Sequence, residues 1–102
     1  MVPASDDKVA IEVRTETEVQ TGWEYHIRIT RPGREATDHQ VRLAWVDHDH
    51  WSGGTKAPSK VIEAVVEAVL RADPGRELPA RFDASTARRW VPTLDETLSR
   101  LL

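Results

Sequence analysis

The chain predicts an α+β fold, in which a three-stranded antiparallel meander is covered on one face by a long helix and followed by two short C-terminal helices (β-β-β-α-α-α). Three observations carry this. β-Branched residues alternate with polar ones from Val9 to Val19. Two more alternating runs follow after short turns. An apolar stripe at helical period then runs from Val61 to Leu70.

In the first run Val9, Ile11, Val13, Thr15, Thr17 and Val19 take the odd positions, and Glu12, Arg14, Glu16, Glu18 and Gln20 the even ones. Period-two alternation makes a strand with one buried face. After the turn QTGW, Trp23, Tyr25, Ile27 and Ile29 repeat the pattern. RPGRE is a second turn, marked by Pro-Gly. Val41, Leu43 and Trp45 then face inward on a third strand. SGGTKAPSK breaks the alternation, and Pro58 suits the first turn of a helix, where its missing N–H is not needed. Val61, Ile62, Val65, Val66, Val69 and Leu70 form that helix's apolar stripe, with Lys60, Glu63, Glu67 and Arg71 opposite. Pro74 ends it. Asp83 reads as the N-cap of a short helix reaching Arg89 or Trp90. Thr93 and Glu96 form a T-x-x-E capping box for a last helix, whose apolar side is Leu94, Leu98, Leu101 and Leu102.

A chain of 102 residues makes a single domain, 1–102, with residues 1–7 expected as a flexible tail. No apolar run is long enough to span a bilayer, and the start lacks the basic-then-apolar order of a signal peptide. The absence of cysteine excludes disulfides, thiolate metal ligands and thiol chemistry. A cytoplasmic location is expected. The formal net charge of −3 argues against nonspecific binding to a phosphate backbone.

The order of these parts, with Gly53-Gly54 before the long helix and LPARFDASTARRWVP after it, resembles a family of small prokaryotic domains. Those have a strand meander, a Gly-Gly junction, a long helix and a tail reading roughly Leu-x-x-Phe-Asp-Leu-x-x-Ile-x-x-Tyr-Phe-Pro. Leu78, Phe82, Asp83, Ala87, Trp90, Val91 and Pro92 occupy the corresponding positions. Ala84 and Ala87 stand where the pattern has Leu and Ile. The resemblance implies a bacterial source and this fold, and no activity.

The most chemically suggestive stretch is WVDHDHWSGG, residues 45–54. On an extended backbone His48 and His50 point to one side, and a His-x-His pair with a carboxylate such as Asp49 can hold zinc. A catalytic zinc site needs a third protein ligand. With odd residues on the core face, Val19 opposite Trp23 and Ile27 opposite Val41, His26 falls in a row with Glu16 and Arg42, far from His48. The stretch then reads as a polar strand-to-helix loop. Gly53 and Gly54 are expected to take positive φ in a turn, because GGTK lacks the spacing of a phosphate loop. Ser52 near His50 lacks a nucleophile elbow. No cofactor and no catalytic residues are expected.

The leading expectation is a small non-catalytic cytosolic protein-interaction or regulatory domain; the alternative is a metal-binding or metal-dependent hydrolytic protein using His48 and His50. An RNA-shape reader is disfavoured by the acidic sheet and the lack of a stacking platform. Trp23 and Trp45 are assigned to the core, and Trp90 to the space between tail and sheet. Trp51 either covers the long helix's start or makes contacts. With aromatics and arginines as the usual interface anchors, the interaction candidates are Trp51, His48, His50, Glu16, His26, Arg42 and Arg89. The open sheet face and the edges of the first and third strands offer further surfaces, a sheet edge also permitting a homodimer.

Overall fold

A computed structural model describes residues 9–102; the expected tail at residues 1–7 lies outside them. The elements are β1 (Ala10–Val19), β2 (Gly22–Thr30), β3 (Thr37–Ala44), α1 (Trp45–Ser52), α2 (Pro58–Ala72), β4 (Arg81–Asp83), a 3₁₀ turn (Ala84–Thr86), α3 (Ala87–Trp90) and α4 (Leu94–Leu101). The class is α+β, as the alternating runs and the helical stripe predict. Two elements go beyond the expectation: β4, and the helix α1 in place of a loop.

The sheet order is β1-β2-β3-β4; β1 to β3 form the antiparallel meander and β4 joins β3 in parallel. The strand edge expected to be free on β3 is therefore covered from Gln40 to Arg42, which among the described residues leaves β1 as the long open edge. Among the described residues, no helix is long and apolar enough to cross a membrane.

The register differs from the simplest alignment, and both shifts have visible causes. The β1–β2 turn leaves only Gln20 and Thr21 outside the strands, so Val19 faces Gly22 and Glu16 faces Tyr25. A bulge between Val13 and Thr15 then absorbs one residue and restores the apolar pairs Val13–Ile27 and Ile11–Ile29. Beyond the bulge the faces of β1 exchange: Glu16 and Glu18 point to the helix side, and Thr15 and Thr17 to the open side. Glu16 there accepts the Tyr25 hydroxyl at 2.6 Å. Burial, then this carboxylate, raises the Tyr25 phenol far above its ordinary range. Because Glu16 remains exposed, Tyr25→Phe is expected to cost only about 1 kcal/mol in urea unfolding; a loss above about 3 kcal/mol would show that the hydroxyl matters beyond this one bond.

Between β2 and β3 the pairing slides by two residues, which keeps the faces but puts Trp23 opposite Leu43 and Ile27 opposite His39. His39 thereby joins the core side. Its Nδ1 donates to Pro79 O at 2.7 Å and its Nε2 accepts from Thr37 Oγ1 at 2.8 Å. A carbonyl can only accept, so the proton sits on Nδ1. The sheet ends at Ala44, and Trp45, assigned to the core by strand parity, instead opens a helix and is 48% exposed.

α2 covers the sheet as its stripe predicts. Val61, Ile62, Val65, Val66, Val69 and Leu70 are all buried, with Pro58 in the first turn. Each such side chain is worth about 1.5–3 kcal/mol relative to leaving it exposed. Buried Arg31, at the end of β2, donates from Nη1 to Pro74 O and Arg76 O at 3.2 and 2.7 Å, fixing the chain that leaves the helix. Asp83 caps the 3₁₀ turn as expected, accepting from Ser85 N at 3.0 Å. α4 begins at Leu94 as expected, but Thr93 makes no side-chain cap bond, so the capping box does not form. Ala84 and Ala87 are fully buried, and their small side chains let the tail lie close to the sheet. Trp90 stacks edge-on against Phe82, with ring centres 5.3 Å apart.

Candidate functional site

α1 is the element on which the chemistry of residues 45–54 depends. Asp and His are mediocre helix formers, and the stretch has no apolar period. Its N-cap residue, Ala44, offers no side-chain cap, but charge and the C-terminal cap favour the helix. Asp47 lies in the first turn and His50 in the last, and both suit the helix dipole. Gly53 ends the helix at φ 62°, with its N–H on Asp49 O at 2.7 Å, and Gly54 follows at φ 75°. The positive φ expected of these glycines is present, as a helix terminus.

A helix advances by about 100° per residue, so neighbours two apart diverge. His48 and His50 therefore do not share a side. His48 Nε2 donates to Lys56 O at 2.7 Å, and its ring packs edge-on against Trp23 at 5.1 Å. His50 Nε2 lies 3.4 Å from Asp95 Oδ2 on α4. Asp49 is exposed, and its Oδ1 lies beside Gly54, 3.6 Å from where a Cβ there would sit. The extended His-x-His geometry is replaced, and among the described residues no three His, Asp or Glu side chains converge on a possible metal position.

The inner side of α1 carries Asp47, His48 and Trp51. Trp51 is only 6% exposed, and it joins the hydrophobic core instead of a contact loop. Its Nε1 donates to Asp95 Oδ1 at 2.7 Å, and the Arg88 guanidinium lies 4.6 Å over its ring. Arg88 also donates to Asp95 Oδ1 at 3.1 Å and to Asp47 Oδ1 at 3.2 Å. One guanidinium, one indole and two carboxylates thus join α1, α3 and α4.

The Trp51 N–H holds the Asp95 carboxyl below its ordinary 3.8; burial opposes it, and Arg88 and then His50 add to the lowering. A carboxyl whose pKa is lowered by folding adds stability above its unfolded pKa, and loses it as pH falls through the folded value. Asp95→Asn should therefore be less stable than the parent near pH 7, by about 1 kcal/mol since the group is half exposed. Chemical denaturation at several pH values should show that gap closing below about pH 4, near the unfolded carboxyl range. A gap constant from pH 7 down to about pH 2, below both pKa values of such a group, would rule out this linkage.

Beside the network lies an open hollow of about 240 Å³ lined by His50, Trp51, Ser52, Thr55, Lys56, Asp95, Ser99 and Leu102. Two of its three hydroxyls already serve the backbone: Ser52 Oγ donates to His48 O at 2.8 Å, and Thr55 Oγ1 to Ser52 O at 2.7 Å.

The other interaction candidates lie apart. His26 and Arg28 both donate to Asp38 Oδ1 at 3.0 Å on the open sheet face. Gln40, not Arg42, is the register partner of His26, and Glu16 has turned to the helix side, so the Glu16–His26–Arg42 row is not formed. Arg42 Nη2 donates to Thr21 Oγ1 at 2.6 Å. Arg89 is exposed at the end of α3.

Strand parity misses the residues that do stand out. Trp45 and Val46 are 48% and 72% exposed; with Val9, they are the exposed large hydrophobics among the described residues. The signal that finds them is Gly53-Gly54 read as a helix terminus, which puts Asp47 and Trp51 on one side of a helix and Trp45 and Asp49 on another. The chain matches no protein-family model, no curated protein and no solved structure.

Proposed function

We propose that this chain is a small, non-catalytic cytosolic protein-interaction or regulatory domain, and that its contact surface is the outward side of α1 around Trp45 and Val46. The observation that carries this reading is the exposure of two adjacent large apolar side chains, which with Val9 are the exposed large hydrophobics among the described residues. Exposed tryptophan is costly to hydrate and is the residue most enriched among interface anchors. α1 holds it on a helix pinned by Trp51, so the surface is preorganised.

Trp45→Ala tests the reading. Thermal stability is expected to change by no more than about 1 kcal/mol, since half of the side chain is already in water. Affinity for proteins captured from the source organism's lysate is expected to fall by more than tenfold, as about 2 kcal/mol is typical of an anchor. An unchanged set of captured proteins, at unchanged affinity, would remove Trp45 from the contact surface.

A further inference from the structure

We propose that two copies of this chain pair through Val9 and the first half of β1, up to Val13, joining their sheets into one antiparallel sheet. This edge lies at the Thr30 end of β2, whereas α1 is tied to the β1–β2 turn at the other end, through Trp45 N and Thr21 O. The inference therefore stands apart from the reading of Trp45 and Val46, and the pairing leaves both free in each copy.

What an open sheet edge accepts is another strand, because its outward N–H and C=O groups have no partner in the sheet. Among the described residues β1 has no strand on its outer side. The bulge between Val13 and Thr15 exchanges the faces of β1, so pairing in register is confined to the residues before it. There Val9, Ile11 and Val13 share the helix side, and Ala10 and Glu12 the open side. No lysine or proline guards residues 9–13 against pairing. Val9 is 40% exposed, and Ile11 and Val13 are half-buried against the core. Beside them an open hollow of about 450 Å³, lined by Val9, Ile11, Glu67, Leu70 and Arg71, separates this edge from α2. A strand added to β1 would set its helix-side residues against that hollow.

The occupant is a second copy because the edge is complementary to itself about a two-fold axis at Ile11. Ile11 then faces Ile11 of the second copy, Val9 faces Val13, and Ala10 faces Glu12. Each apolar side chain on the helix side thus meets another. Centring on Glu12 would set two like carboxylates opposite each other, and centring on Val13 would run across the bulge. Charge on α2 agrees. The helix runs toward the Thr30 end of β2, where Arg31 holds Pro74 O, so Arg71 lies toward the Val9 side and Glu67 toward the Val13 side. A two-fold axis reverses that order in the second copy, bringing each Glu67 to the border that carries the other Arg71. Within one chain these two already pair at 2.8 Å, and the dimer aligns two such pairs head to tail. So short a strand pairing makes a small interface, and the dimer is weak and reversible.

The test is sedimentation equilibrium of the intact chain from about 1 µM to about 1 mM, the range of affinities open to a small interface. The expected result is a reversible monomer–dimer equilibrium within that range, with amide exchange between Ala10 and Val13 slowing as the dimer forms. Val9→Lys, at a position that already meets water, should weaken the dimer by more than tenfold. Glu67→Arg and Arg71→Glu should each weaken it about two- to tenfold, as exposed ion pairs are lost. Mixing those two variants should restore association, because one then carries two cations and the other two carboxylates at the facing border; misfolding cannot produce that rescue. A chain that stays monomeric up to about 1 mM would overturn the proposal. So would a dimer indifferent to Val9→Lys, or a mixture that associates no better than either variant alone. Association lost in Trp45→Ala and kept in Val9→Lys would place the dimer contact on α1 and overturn the edge pairing.

Discussion

Trp51→Ala is expected to lower stability by about 3–5 kcal/mol, the range for emptying a buried aromatic site. The indole is 6% exposed and packs into the core, so its removal opens a cavity at the junction of α1 with the tail. Two polar groups lose their setting as well: Asp95 loses its 2.7 Å donor, and Arg88 the ring beneath it. For a domain of this size each kcal/mol moves Tm by about 4–8 °C, so a fall of at least about 12 °C is expected. Trp51→Phe separates the two contributions. It keeps most of the packing but deletes the N–H, and should cost about 1–2 kcal/mol. A Trp51→Ala protein with unchanged Tm would mean that this side chain is not the anchor of α1.

Gly22→Ala should be nearly as damaging, although it adds a single methyl group. A Cβ at Gly22 would sit 2.0 Å from Leu43 O and 2.8 Å from Ala44 Cα, both backbone atoms of β3. No rotamer relieves this, so β2 and β3 must separate where β3 gives way to α1. A loss of about 3 kcal/mol is expected, at the upper end for overpacking. Gly75→Ala is the matched control. A methyl group at Gly75 would meet nothing within 4 Å, and the φ there is not positive, so stability should hold or rise by up to about 1 kcal/mol. Equal melting temperatures for the two variants would exclude the close approach at Gly22.

The parts legible in the sequence are those whose period is long. α2 repeats its apolar pair four residues apart through Val61, Val65 and Val69, so nothing else fits the pattern. The meander follows from alternation, and the N-cap at Asp83 from one short polar side chain before a helix. What alternation does not record is a change of phase. The bulge at Arg14 moves Glu16 and Glu18 across the sheet without altering the sequence pattern. The switch from strand to helix at Trp45 exchanges the fates of two tryptophans. Strand parity puts Trp45 inside and leaves Trp51 undecided; helical rotation sends Trp45 outward and drives Trp51 into the core. α1 is hidden because its anchoring partners, Arg88 and Asp95, lie more than forty residues further along the chain. β4 is three residues long, too short to alternate. Residue chemistry therefore draws attention to residues 45–54, while strand parity exchanges the inner and outer sides of that stretch.

β4 also sets how the sheet behaves before the whole domain unfolds. It contributes three register pairs, Gln40–Arg81, Val41–Phe82 and Arg42–Asp83, and is tied to β3 only after α1 and α2 have intervened. Such a short parallel pairing belongs to the low end of the local-opening scale, well under the free energy that holds β1, β2 and β3 together. Among the described residues the molecule thus presents one long sheet edge, on β1, while the tail that carries β4 closes the other with Ala84, Ala87, Leu94 and Leu98 in the core.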